Sequence, residues 1–407
     1  MRHYREGTKI YIFGFSRGAY TARFLNEMLD FVGLLGPDNE EVIPFIWDAF
    51  ASWKLGRTND NGKAKHRAYC VMKASREVLS RPMPRVHFLG MFDAVNSVAD
   101  FEVNVDAMPA TKIIRHAVSI DERRIKFRPV LLRAHQEERS NHTHYHNSKG
   151  DYPGPKSQAE AKTSSGPPVL PEVPNVSIPD RNADVETDTV EQVDVEEMWF
   201  PGGHADIGGG WNYEDGESWQ LSHAPLVWMV QEAQKAGLQF DACQMKKFEC
   251  IEEYDRDETP IHEGEKKEAS GEISPSRRSF LHALYCSGNK GRIHDLLDYG
   301  NGLPITSVLS WRLMEYLPLR RMEVQPDGKW KAVRWPPPRG QARDIPADAQ
   351  IHVSAIQRMK SDASYRPPAL TYGLSEGDID GSGIGKWIVH SHEGDRVRER
   401  YVRDISR

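Results

Sequence analysis

The chain has 407 residues, 39% of them apolar, and 53 basic against 59 acidic side chains leave a net charge of −6. At ~150 residues per domain that length allows two to three domains, while no run approaches the ~18 apolar residues of a membrane helix and no apolar stretch follows the basic N-terminus to make a secretory signal. Four scattered cysteines exclude a disulfide scaffold, and the acidic balance argues against nucleic acid as a partner, so a cytoplasmic protein is expected.

Lys9–Phe15 (KIYIFGF) opens the chain as a short apolar run of β type. A helical pattern follows at once, with Ala22, Leu25, Met28, Leu29 and Val32 on one face and Gly33 as its C-cap. Asp38 and Glu41 stand at capping-box spacing before a second helix, whose stripe is Val42, Phe45, Ile46, Ala49, Phe50 and Trp53. Arg85–Val95 reads as the next buried strand and Arg128–Leu132 as another. Between Glu137 and Val190 only nine large apolar residues occur in 54, with seven prolines. Such a segment cannot offset the entropy of ordering, so 137–190 is predicted to be a disordered insertion.

Glu196–Gly203 is a further strand, and Ser222 caps a helix with Leu226, Met229, Val230 and Ala233 inward, closed by Gly237. A second polar stretch, 252–276, holds eight acidic and three basic residues between Glu252 and Glu268 and reads as an exposed loop. Thr306–Leu317 has a helical pattern, and Met322–Trp335 reads as a hairpin turning at Pro326-Asp327-Gly328. Residues 371–407 read as a polar tail. Strands alternating with helices predict an α/β protein with a mostly parallel sheet.

Gly14-Phe15-Ser16-Arg17-Gly18 is the strongest chemical signal, because this G-x-S-x-G run joins a predicted strand to a predicted helix. Such a turn forces the serine into a strained conformation and presents its oxygen above the carboxyl edge of the sheet. Gly14 and Gly18 are the positions expected to need glycine. The helix N-terminus puts the Arg17 backbone N–H where an oxyanion would form. A serine nucleophile needs a base, and the base needs an orienting carboxylate. Asp93 ends the strand VHFLGMF, and His204 follows the strand EMWF inside a loop with five glycines, Gly202 to Gly210. Asp206 is an alternative acid, although two residues from His204 it fits better as a loop-shaping group. His116 reads as a structural histidine bonded to Asp121, and His352 as a distal structural or substrate-side group. His142, His144 and His146 resemble a metal tract but lie at the edge of the insertion without fixed geometry, so neither a metal nor a cofactor is expected. Asn141 and Asn175 match the glycosylation sequon, which means little without a secretory signal.

The runs IYIFGFSRGAYTAR (Ile10–Arg23), LGMFDAVNSV (Leu89–Val98), RHAVSIDERRIKFRP (Arg115–Pro129), WFPGGHADIGGGW (Trp199–Trp211) and IHVSAIQR (Ile351–Arg358) resemble, in order, an α/β-hydrolase family that includes bacterial type VI secretion phospholipase effectors and many fungal proteins. The resemblance implies Ser16 as nucleophile, Asp93 as acid and His204 as base, hydrolysing carboxylic esters of lipid or phospholipid type. It implies a hydrolase-like catalytic domain over 1–237, an irregular C-terminal extension over 238–370, and room for peripheral membrane contact. Family members carry strands and an Asp-Gly motif ahead of the nucleophile strand, so the chain is expected to lack those strands and the second oxyanion N–H they bring. One lost oxyanion donor typically costs ~10²–10³ in rate. Two other readings stay open: an inactive family member acting as a binding protein, and a thioesterase or other serine acyl-transfer enzyme. Phe45, Ile46, Phe50 and Trp53 are available to line an acyl pocket or to fill a core.

Overall fold

The computed structural model describes residues 3–55, 63–81, 85–95, 111–132, 193–212, 217, 219–251, 275–319, 321–324, 330–371 and 384–404. These belong to one compact unit, residues 1–134 together with 193–407. In chain order they form β1 (Tyr11–Phe15), α1 (Arg17–Val32), β2 (Leu34–Leu35), α2 (Ile43–Leu55), α3 (Lys63–Leu79), β3 (Ser80–Arg81), β4 (Val86–Phe92), β5 (Thr111–Ser119) and β6 (Asp194–Phe200). Then come α4 (His204–Gly208), α5 (His223–Lys235), α6 (Ala242–Lys247), α7 (Pro275–Lys290), α8 (Ile305–Met314), β7 (Arg321–Val324), β8 (Trp330–Val333) and β9 (Gln350–His352). The chain finishes with α9 (Val353–Ser361), α10 (Pro368–Thr371), β10 (Trp387–Ser391) and β11 (Arg400–Arg403).

Seven strands make the main sheet in the order β1-β4-β5-β6-β9-β11-β10. The first five run parallel, and β11 and β10 close that side antiparallel. The fold is therefore the expected α/β type with a mostly parallel sheet. Alternation along β4 explains why both faces are covered. Phe88 joins Ala117, Met198 and Phe200 under Val227, Trp228 and Met229 of α5, while Leu89 and Met91 meet Ala19 and Ala22 of α1. Ala19 and Ala22 let α1 lie close to the sheet. Its other side carries Phe24 and Val32 against Ile46 and Phe50 of α2 and Met72 of α3.

Several expectations need correction. Arg128–Leu132 is not a strand, because Pro129 lacks an N–H to continue a ladder, and only an isolated Val95–Pro129 bridge forms. β5 escaped the apolar reading because Arg115 and His116 interrupt it, each satisfied by a buried carboxylate: Arg115 by Glu232 at 2.8 Å, His116 by Glu197 at 2.9 Å. His116 thus pairs with Glu197 rather than Asp121. No capping box forms at Asp38 and Glu41; a 3-10 turn over Glu40–Val42 with Asn39 at its N-cap precedes α2 instead. Ile46 and Phe50 are core, whereas Phe45 is 71% exposed. The hairpin is observed as β7 against β8, with its turn outside the described residues. The supposed polar tail supplies β10 and β11, and Trp387 and Tyr401 pack on the Trp199–Ile351 cluster. The sheet also passes through the boundary placed at 237, since β9 lies directly against β6. The insertion 137–190, the histidine tract and both sequons lie outside the described residues, as does the loop 252–276 apart from the first two residues of α7. Among the described residues no helix is long and apolar enough to cross a membrane.

Candidate active site

The site starts at the β1–α1 turn. Ser16 has φ 60° and ψ −130°, the strained backbone such a turn demands of a non-glycine residue. A Cβ at Gly14 would come within 2.6 Å of the Ala19 Cα and the Gly18 carbonyl oxygen, so glycine there is what lets the helix begin directly over the strand. Gly18 is different: a Cβ there meets nothing within 4 Å, so space does not require glycine at that position. Arg17 is the first residue of α1, where helix N–H groups have no intrahelical partner and point out of the helix end.

Asp93 and His204 arrive from the neighbouring strands. Asp93 follows β4 with φ 41°, and its N–H bonds the Ala117 carbonyl of β5 at 2.7 Å. His204 is the first residue of α4, separated from the end of β6 by the three-residue turn Pro201-Gly202-Gly203. Its Nε2 lies 2.8 Å from Ser16 Oγ and its Nδ1 lies 2.6 Å from Asp93 Oδ2. A carboxylate accepts only, so Nδ1–H donates to Asp93 and Nε2 is left to accept the Ser16 proton. The rings of Phe15 and Phe127 flank the imidazole, each 4.7 Å from its centre. The geometry therefore brings together a hydroxyl, a base positioned to take its proton, and a carboxylate that fixes the base's tautomer.

Asp93 is fully buried, and burial alone would push its carboxyl up. The Arg343 charge, followed by the hydrogen bond and charge of His204, outweighs that and holds it well below the usual carboxylate range. Arg343 was invisible to sequence reasoning. Its Nη1 donates to Asp93 Oδ1 at 2.6 Å and its Nη2 to Asp93 Oδ2 at 2.9 Å. The Ser119 backbone N–H and hydroxyl complete the carboxylate's shell at 3.0 and 3.3 Å. Glu122 is a second group not anticipated. It accepts the His204 backbone N–H at 3.2 Å and is itself gripped by Arg124 at 2.8 and 2.9 Å, which also holds its carboxyl down despite burial.

The remaining candidates fall elsewhere. Asp206 does not meet the His204 ring; it accepts from Gly203 N–H at 2.8 Å and His294 N–H at 3.0 Å, and pairs with His294 Nδ1 at 2.7 Å. It shapes the loop in company with Gly202, whose φ of 113° and contact with the Asp206 side chain leave no room for a Cβ. His116 accepts the Ala94 N–H at 3.0 Å, bracing the residue after Asp93 from below. His352 ends β9, its ring bonded to Ser354 and the Val397 carbonyl, with burial pushing its imidazole down to about 4. Among the described residues no group of histidine, cysteine, aspartate and glutamate side chains is arranged to hold a metal.

A groove of about 620 Å³ opens beside the turn. Arg17 and Val95 stand at the end nearest Ser16, and Leu25, Met28, Leu34 and Trp47 are among the apolar side chains that line it along α1 and the start of α2.

A family model described as type VI secretion system phospholipase effector Tle1-like, catalytic domain, matches residues 1–232. The uncharacterized protein YEL023C of Saccharomyces cerevisiae is 24% identical over a 467-residue alignment covering 90% of this chain and 67% of that protein. No solved structure matches.

Proposed function

The chain belongs to the family of Tle1-like phospholipase effector catalytic domains, and on that premise we propose that it is a serine hydrolase cleaving a carboxylic ester of lipid type through an acyl-enzyme on Ser16. The observation that carries the reading is the Ser16–His204–Asp93 relay, with contacts of 2.8 and 2.6 Å at a serine held in a strained turn. Ser16 Oγ attacks the ester carbonyl carbon while His204 Nε2 takes its proton. The Arg17 N–H faces the oxyanion that forms. Collapse breaks the bond to the alcohol, which leaves with the proton held by His204. Water then attacks the acyl-enzyme with His204 again as base, releasing the acid and restoring Ser16.

The groove supports a long-chain acyl group over a small one. It follows α1 from Arg17 to Val32, a rise of roughly 22 Å at ~1.5 Å per residue. One leaflet of a bilayer, about half of a ~30 Å hydrocarbon core, is spanned by a lipid chain shorter than that. Wild-type protein is expected to react with a fluorophosphonate probe and Ser16→Ala is not; equal reaction, or none in either, removes the reading. On substrates, hydrolysis of phosphatidylcholine vesicles in preference to an acetyl ester is expected. Leu25→Asp should reduce the former at least ten-fold and leave the latter nearly unchanged.

A further inference from the structure

A serine relay needs no cation on its acid, yet Arg343 occupies that place. Its side chain and that of Asp93 are both 0% exposed. The two residues lie 250 positions apart in sequence. The guanidinium is locked by the two Asp93 oxygens and by the Ser119 and Phe127 carbonyls. Asp93 Oδ2 receives both His204 Nδ1 at 2.6 Å and Arg343 Nη2 at 2.9 Å. A proton added to His204 therefore places a second positive charge roughly 5 Å from the first, across one shared oxygen.

We propose that Arg343 is a positioning residue that clamps the Asp93 carboxylate beneath His204 and balances its buried charge, so that the relay works only with a cation at that place. The proposal rests on the serine hydrolase reading. Other charged groups around the imidazole are already matched. Glu122 meets the His204 backbone but is paired with Arg124, Glu197 is paired with His116 beneath Ala94, and Asp206 is taken up by His294 and Gly203. Arg343 is the cation that touches the acid.

The test is the rate of fluorophosphonate labelling of the full chain, read beside its denaturation midpoint. Arg343→Met removes the charge. Arg343→Gln removes the charge but keeps N–H donors toward Asp93, and so decides the case if the methionine variant does not fold. In both, labelling is expected to slow at least ten-fold, whereas Arg343→Lys, which keeps the charge, restores the rate to within a few-fold of wild type even where its midpoint stays low. Neutral variants that label within a few-fold of wild type, or an Arg343→Lys variant as slow as they are, would overturn the proposal. So would failure of both neutral variants to fold, since the charge would then be a structural requirement. Absence of labelling in the wild-type protein would overturn the hydrolase reading itself, an outcome separate from these.

Discussion

Two buried histidine–aspartate pairs meet around α4, and they differ in what the second ring nitrogen faces. His204 Nδ1 bonds Asp93 at 2.6 Å and His294 Nδ1 bonds Asp206 at 2.7 Å. All four side chains are nearly inaccessible. His204 Nε2 reaches the Ser16 hydroxyl, whereas His294 stacks on Trp211 at 4.3 Å and its Nε2 has no hydrogen-bond partner among the described residues. The acids differ too: Asp93 carries Arg343, while Asp206 spends its oxygens on the backbone of its own loop and of His294. The same two residue types thus supply a histidine in contact with a serine hydroxyl in one place and a brace for a loop in the other. What separates them is the third partner.

The largest test of that contrast is loss of the serine or of the histidine that touches it. Ser16→Ala and His204→Ala are each expected to abolish fluorophosphonate labelling, while His294→Leu should label within a few-fold of wild type. Next come the acids. Asp93→Asn should lower the labelling rate by ~10²–10⁴ through the wrong tautomer at His204, and Asp206→Asn by less than ~10-fold, with its loss appearing as a lower denaturation midpoint. Activity lost equally from both would dissolve the distinction.

Another buried histidine, His352, sharpens the comparison because its ring bonds a carbonyl and Ser354 instead of a carboxylate. Burial lowers its imidazole to about 4 from an ordinary 6.5. The unfolded chain then takes up the proton first, so the stability from the neutral ring is complete above pH ~6.5 and is lost as pH falls toward 4, by up to roughly 3 kcal/mol. Denaturation of wild type and His352→Gln at pH 7 and pH 4.5 checks this; the variant should lose less between the two. The smallest effect expected is on the brace: His294→Leu leaves Asp206 one donor short, a cost of ~1–3 kcal/mol, read from a chemical denaturation midpoint.

What could be read from the sequence was what neighbouring residues encode. A strand, a glycine, a serine and a helix in twenty residues announce the turn at Ser16, and Asp93 and His204 each follow an apolar run that had to be a strand. β5 was missed because buried charges broke its pattern, and α3 because its apolar residues do not keep to one stripe: Val71 and Val78 are exposed, while Ala68, Met72 and Ser75 make its buried face. Arg343 could not be found at all. No local pattern marks an arginine whose partner is 250 residues away, and only the folded chain shows that a buried carboxylate there is neutralised.

The place of Arg343 in the chain also bears on timing. Ser16, Asp93 and His204 all lie within the first 232 residues, and synthesis delivers them first. The cation for Asp93 and the strands β9, β11 and β10 follow much later. A nascent chain holding all three relay residues would still lack the cation for Asp93 and three strands of the seven-stranded sheet. The Asp93 carboxylate meets its cation, and the sheet gains its last three strands, only when the last third of the chain has been made and has folded back against β6.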